Sequence, residues 1–200
     1  MICLSTAYLA PVSYYQRLMG ASHVMMEAHE NYTKQTYRNR ALIAAPQGIM
    51  PLTIPIQHNS GEKILMKDVR LSDHGNWRHL HWQALQTAYD KSPFFEFYAD
   101  DFRPFYEGKP TTFLLDFNMQ LQETVCRLIG ITPSVALTET YLAEGNFLDL
   151  RNAFSPKQRE MACPQYYQVF SQKHGFLPDL SVVDLLFNMG PESILVLKQS

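Results

Sequence analysis

The chain has 200 residues, and a hydrophobic fraction of 46% with 12% aromatics is enough for one packed core; it excludes a disordered, collagen-like or low-complexity polymer. Seventeen Lys and Arg against 19 Asp and Glu leave a formal charge of −2, so no overall positive field draws the protein to nucleic acid or to an anionic membrane, and any anion site has to be local. Cys3, Cys126 and Cys163 have neither disulfide-framework nor zinc-ribbon spacing. No Lys or Arg precedes Arg17, so the opening lacks the charged start of a secretory signal. The longest uncharged stretch, 41–61, is interrupted by Pro46, Pro51 and Pro55 and does not read as a membrane span. A cytoplasmic setting follows as the expectation, with no nucleic-acid partner.

In chain order, residues 2–7 read as a short buried strand, and Pro11 suits the first position of a helix that runs to Met19 and stops at Gly20. Residues 23–28 make a second strand. A strand, a short helix and a strand in so few residues predict a βαβ crossover and a parallel pair. Residues 38–45 and 49–57 form a hairpin around Pro46-Gln47-Gly48, its second run at a sheet edge because Pro51 and Pro55 lack ladder donors. Residues 64–71 alternate as a further strand. Ser72 or Asp73 caps a helix reaching Tyr89, on the spacing of Trp77, Leu80, Ala84, Leu85 and Ala88, and Ser92-Pro93 ends it.

The aromatic run from Phe94 to Tyr106 reads as a short helix packing rings into the core. Leu114, Phe117, Leu121, Val125 and Leu128 form one helical stripe within 112–129, closed by Gly130. Residues 135–140 are a strand, 145–164 the longest irregular connection, and 166–170 a late strand. Ser181-Val-Val-Asp184 is a capping box leading into Leu185, Leu186 and Phe187. With no repeat or linker, the expected architecture is a single α/β domain over 1–200, with a βαβ start and a mixed sheet flanked by helices.

The densest polar cluster, His29 to Arg40, begins where the second strand ends, the place where ligands gather in α/β proteins. Lys34, Arg38 and Arg40 face one acid, Glu30, while Asn31, Asn39, Tyr32 and Tyr37 add neutral hydrogen-bonding groups; this suits phosphate or carboxylate recognition or, equally, a solvated loop with ordinary surface cations. His74, His79 and His81 invite a metal site, but on a helix His79 and His81 point about 200° apart and cannot share one ion. An anion site using His74 and Arg78, or plain helix packing, accounts for that cluster as well. No P-loop, dinucleotide fingerprint, nucleophile elbow or zinc-protease motif occurs. Cys3, at the start of a buried strand, is better read as packed than as nucleophilic. The strand and helix order also compares with the nucleotidylyltransferase Rossmann-like fold, but the segment from Leu9 to Tyr15 lacks that fold's histidine pair.

Three short motifs carry a family resemblance: Tyr8-Leu-Ala-Pro11 followed by Tyr14-Tyr15, Asn31-Tyr-x-Lys34 with Asn39-Arg40, and Leu180 to Asn188 followed by Gly190-Pro-Glu192. The chain resembles the WbqC-like protein family, in particular its Bacteroidetes-type members. The resemblance implies a role beside surface-polysaccharide genes, notably those of O-antigen, and the handling of a nucleotide-activated sugar or related metabolite; it implies no mechanism and no cofactor. Ser5-Thr-Ala-Tyr8 stands where many members have Gln-Pro-Tyr, and Tyr37 where many have Trp.

Joined, these readings predict an anion-binding cleft at the carboxyl end of the first strand. Lys34, Arg38 and Arg40 hold a diphosphate or carboxylate that Asn31 and Asn39 orient, with Tyr32 among the binding groups. Tyr8, Tyr14 and Tyr15 wall the cleft, and Asp184, Asn188 and Glu192 close it, although Asp184 is equally explained by the capping box. His29 and Glu30 are the nearest candidates for a general base. The expected activity is transfer of a group, such as an acyl group, to a sugar nucleotide. The alternatives are a non-catalytic binding or assembly protein of the same pathway, or a nucleotidylyltransferase relative lacking the histidine pair.

Overall fold

Four short strands set the frame. β1 (Ile2–Ser5) is buried along its whole length, and Pro11, extended at φ −67°, leads into α1 (Val12–Gly20), which returns the chain to β2 (Val24–Glu27) parallel to β1. The computed structural model describes residues 1–57, 63–143, 145–159 and 163–199. Residues 58–61 of the uncharged stretch and 160–162 of the long connection therefore lie outside the described residues. β7 (Val135–Leu137) pairs parallel with β2 and β8 (Leu148–Asp149) parallel with β1, so the sheet runs β7-β2-β1-β8. β8 lies inside the segment expected to be irregular.

Period-two alternation assigns the two faces of this sheet. Ile2 and Leu4 stand in register with Val24 and Met26 and enter the main core with Val12, Tyr14, Tyr15 and Leu18 of α1. Ser5 and Glu27, also in register, face the other way, where the chain on either side of β8 covers them.

The hairpin forms as expected, β3 (Arg40–Ala45) against β4 (Gly48–Thr53), in a two-stranded sheet of its own where Pro51 deprives no third strand of a donor. The strand expected over 64–71 is reduced to a 3-10 turn at Met66–Asp68 and the two-residue β6 (Arg70–Leu71), which pairs with β5 (Ile56–Gln57). Backbone hydrogen bonds from Met66 and Lys67 to the carbonyls of Glu30 and Ala28 pull this segment onto the 28–40 loop instead. No strand forms over 166–170, because the Val169 amide bonds to the Asn188 side chain rather than to a strand.

α2 (Trp77–Tyr89) begins later than expected: Ser72 Oγ accepts from the His74 amide, and a 3-10 turn with Gly75 at φ 74° and Asn76 at φ 48° precedes the helix. α3 (Phe95–Glu107) buries Phe95, Phe102 and Tyr106, and α4 (Leu114–Ile129) ends on left-handed Gly130 at φ 81°. α5 (Ser171–His174), α6 (Val182–Met189) and α7 (Ser193–Leu197) complete the chain. Phe187 of α6 is the hub of the aromatic core, with the rings of Tyr89, Phe95 and Phe102 edge-on at 5.1–5.3 Å. Gly190, at φ 53°, lies so close to Phe94 that a Cβ would come within 2.5 Å of the ring.

The capping box is half formed. Ser181 Oγ accepts weakly from the Val183 amide at 3.4 Å, but the Asp184 carboxylate turns into the core and accepts from the hydroxyls of Tyr89 and Tyr166 and from Gln168 Nε2, at 2.8–2.9 Å. The Ser181 amide is taken by Leu42 O. Burial raises the Asp184 carboxyl to about 6 despite its three donors. No helix among the described residues is long and apolar enough to cross a membrane.

Candidate functional site

Counted in chain order, the parallel strands lie 3-2-1-4, so the sheet grows on one side of β1 through its second and third strands and on the other side only with its last. At the carboxyl ends of β1 and β8 the chain leaving β1 runs into α1, and the chain leaving β8 folds back against that helix, with the Tyr14 and Phe154 rings 5.2 Å apart and a crevice between the two segments. A small niche of about 10 Å³ sits there, lined by Ser5, Thr6, Ala7, Tyr14, Tyr37, Arg38, Leu150, Arg151 and Phe154, with room for about one water-sized group. Beside it, with Leu150 and Phe154 in common, opens a compartment of about 520 Å³ between Ser13, Gln16 and Arg17 of α1 and the segment running from Leu150 to Arg159.

Hydrogen bonds knit the floor of the crevice. Arg38 Nε and Nη2 donate to the two oxygens of Glu30 at 2.8 and 2.6 Å, and Nη2 also donates to Ser5 Oγ at 2.7 Å. Ser5 Oγ in turn donates to Arg151 O. Arg151 Nη1 reaches Glu27 at 3.1 Å while its Nε and Nη2 grip Asp149, which holds the Asp149 carboxyl below its ordinary range. Fully buried Glu27 also accepts from Thr138 Oγ1 and from the amides of His29 and Leu142. Three carboxylates thus meet two guanidinium groups, leaving one negative charge in the cluster, so the arginines are committed to the fold and do not form a free anion clamp. Arg38 Nη1 alone has no acceptor among the described residues.

The 28–40 loop does reach the carboxyl end of β1, since the Tyr8 amide bonds to Tyr37 O at 2.8 Å and Asn118 Nδ2 holds Arg38 O at 2.8 Å. Of the expected site residues, Arg38 and Tyr14 line the crevice, and Glu30 backs it. The others go elsewhere. Tyr8 is completely buried, its hydroxyl 2.8 Å from that of Tyr106 and 3.0 Å from His81 Nδ1, and Tyr15 is buried in the core; neither lines the niche or the adjoining compartment. Asn31 and Lys34 are exposed outside the lining, and Tyr32 packs half-buried against the core. Asn39 Nδ2 bonds to Ile54 O and Arg40 Nε to Thr53 Oγ1, both serving the hairpin. Asp184 lies in the core cluster already described, Asn188 Nδ2 bonds back to Asp184 O, and Glu192 is exposed beyond α6, so this motif does not close the crevice.

Both proposed bases are placed off the cavity. Glu30 is tied bidentately to Arg38, and the half-buried His29, whose Nδ1 is buried without a partner, is absent from the lining. His79 is exposed and His81 buried on α2, with burial lowering the His81 imidazole to about 4; Arg78 pairs with Asp73 and lies over the Trp77 ring. Cys3 is fully buried and its thiol is pushed up to about 11 by burial, consistent with packing. Sequence reasoning missed Ser5, Glu27, Thr138, Asp149 and Arg151. The one available signal was the acid Glu27 at the end of an otherwise apolar strand.

Strand order and flanking helices define an α/β protein, with a candidate crevice at the carboxyl ends of β1 and β8. The family is shown by comparison: the chain belongs to the WbqC-like protein family, whose model matches residues 6–155. It is also similar to the uncharacterized protein Rv1507c of Mycobacterium tuberculosis, 28% identical over 189 residues and covering 81% of each chain. No solved structure gives a significant match.

Proposed function

We propose that this protein binds a nucleotide-activated sugar of a surface-polysaccharide pathway of the O-antigen type, in the crevice between β1 and β8, as one domain over 1–200. The observation that carries the reading is the buried hydroxyl of Tyr37, a residue that lines the niche; this hydroxyl has no hydrogen-bond partner among the described residues. A buried hydroxyl without a partner costs free energy, and a ligand oxygen entering the niche would satisfy it. The adjoining compartment has the volume of a small-molecule site. The pathway is the expectation attached to the resemblance to the WbqC-like family, to which the chain belongs.

The lining supports binding first. Among its described residues no histidine occurs and Asp179 is the one carboxylate, accepting from the Ser13 amide at 2.9 Å. For a transfer reaction, such as acylation of an amino sugar, the crevice would contribute positioning of the two substrates. A non-catalytic binding or assembly role is the second reading, favoured by the engagement of Asp179, the one carboxylate among the described lining residues, with the Ser13 amide.

A thermal-shift series with sugar nucleotides, free nucleotides, acyl-CoA and amino sugars tests the proposal. A ligand at 100 times its dissociation constant stabilises by about 2.7 kcal/mol, or about 5–10 °C for a chain of this size. Tyr37→Phe is expected to keep the unliganded melting temperature and to weaken a sugar nucleotide about 10- to 100-fold. A series in which no sugar nucleotide raises the melting temperature, or in which Tyr37→Phe binds as well as the wild type, overturns it.

A further inference from the structure

The 520 Å³ compartment has a chemical bias that the niche alone does not show. Ser13 is 7% exposed, and its Oγ is buried without a partner among the described residues; Gln16 Nε2, one turn of α1 further on, is likewise buried and unpartnered among them. Both are donors, and both residues line the cavity. Arg17 stands beside them on the same helix, exposed, with no ion pair among the described residues. From the opposite wall comes Arg159, whose Nη1 is held by Pro178 O at 2.9 Å.

Acceptors are scarce on the same surface. Asp179 is buried with its backbone at φ 51°, a left-handed conformation that a branched polar residue holds only at some cost, and its Oδ1 accepts from the Ser13 amide. Two guanidinium groups against one carboxylate leave the lining with a net charge of +1, beside a floor cluster that carries −1. Asp179 and Arg159 also act electrostatically on the hydroxyl of Tyr37, which lines the niche.

We infer that this compartment is a diphosphate subsite in which Arg17 and Arg159 take the charge from opposite walls while Ser13 Oγ and Gln16 Nε2 donate to the phosphoryl oxygens. A diphosphate is an acceptor-only, multiply charged group, and it answers these four donors at once. The inference rests on the proposed function, to which it adds the part of the ligand held here: the pyrophosphate bridge, with the remainder of the molecule extending to the Tyr37 niche. The deep, paired arginines Arg38 and Arg151 are then scaffold, and the shallow Arg17 and Arg159 are the ligand's own counter-charges.

The test is isothermal titration of the full chain with inorganic pyrophosphate and, in separate arms, with a uridine diphosphate sugar, coenzyme A and uridine monophosphate. Pyrophosphate is expected to bind, with affinity falling as salt rises. Arg17→Gln, at an exposed position, is expected to weaken it about 10-fold, and Ser13→Ala, which removes a hydroxyl with no partner in the fold, about 3- to 10-fold. The monophosphate is expected to bind more weakly than either diphosphate ester, and the sugar ester and coenzyme A arms separate two sources of the same group. Unaltered pyrophosphate affinity in both variants, or no pyrophosphate binding by the wild type, overturns the subsite.

The two readings fail separately. A sugar nucleotide that is weakened by Tyr37→Phe but binds Arg17→Gln and Ser13→Ala as tightly as the wild type removes the subsite and leaves the proposed function standing. Pyrophosphate and coenzyme A binding that respond to Arg17→Gln, with no binding of the sugar ester, support the subsite and refute the sugar-nucleotide reading.

Discussion

Arg38 decides between a ligand clamp and a structural ion pair, and the two roles have different energetic signatures. Its side chain is 5% exposed and that of Glu30 9%, with two charge-assisted hydrogen bonds at 2.8 and 2.6 Å between them. Arg38→Met keeps the length of the stem and removes the charge, leaving the Glu30 carboxylate buried without a partner. Breaking a buried pair from one side costs about 3–5 kcal/mol, whereas replacing both partners with apolar residues is often neutral or stabilising by about 1–4 kcal/mol. Ser5 Oγ keeps its bond to Arg151 O in every variant, so its loss of one donor adds little. Urea titrations of the wild type, Arg38→Met, Glu30→Leu and the double variant at pH 7 measure the coupling. The single Arg38 variant is expected to melt about 6–20 °C lower, and the double variant to recover most of that loss. A single variant that loses less than about 1 kcal/mol, or a double variant as unstable as the sum of the two singles, would refute the ion-pair assignment.

Phe187→Ala is expected to cost about 3–5 kcal/mol, because three rings lose their edge-on partner at the centre of the core; a chemical-denaturation midpoint within error of the wild type would show the hub unimportant. The Asp184 carboxyl is raised to about 6 by burial, so the folded state takes up a proton more readily than the unfolded chain. Its contribution to stability is present in full below about pH 4 and lost as the pH rises through 6. Against Asp184→Asn, the wild type is expected to gain about 1–3 kcal/mol between pH 7 and pH 4. His81 works in the opposite sense: burial lowers it to about 4, so stability is lost as the pH falls from about 6.5. Against His81→Asn the wild type is expected to lose about 1–3 kcal/mol over the same interval. The two slopes oppose each other in the wild type and are resolved by denaturation of the single variants across pH; a flat difference in either comparison would reject the corresponding burial argument.

The elements legible in the sequence are those whose stabilisation is local or periodic. The parallel pair β1 and β2 follows from strand, proline-led helix and strand in 26 residues, and α4 from an unbroken apolar stripe closed by Gly130. β8 was not legible: it has two residues, both exposed, and is held by parallel pairing to Ile2 and Cys3, a contact about 146 residues away in the chain. The strand expected over 166–170 failed for the converse reason, since its apolar run had no edge to join and its polar groups found Asp184 and Asn188 instead.

The motifs at the two ends of the chain meet in space, yet not as a cleft. The backbone of Ala10 and Val12 bonds to Val182 and Leu180, which staples the β1–α1 turn to the start of α6 and turns Asp184 and Asn188 inward, away from the crevice. The residue types of a charged site near the end of β1 and β2 were written in the sequence as a local excess of Arg, Lys, Asn and Tyr after the second strand. Which of those groups remain available was decided only by tertiary structure. Composition lists donors and acceptors, but their pairing depends on distance in space, and Arg38 found Glu30 while Arg17, Ser13 and Gln16 were left facing an open cavity.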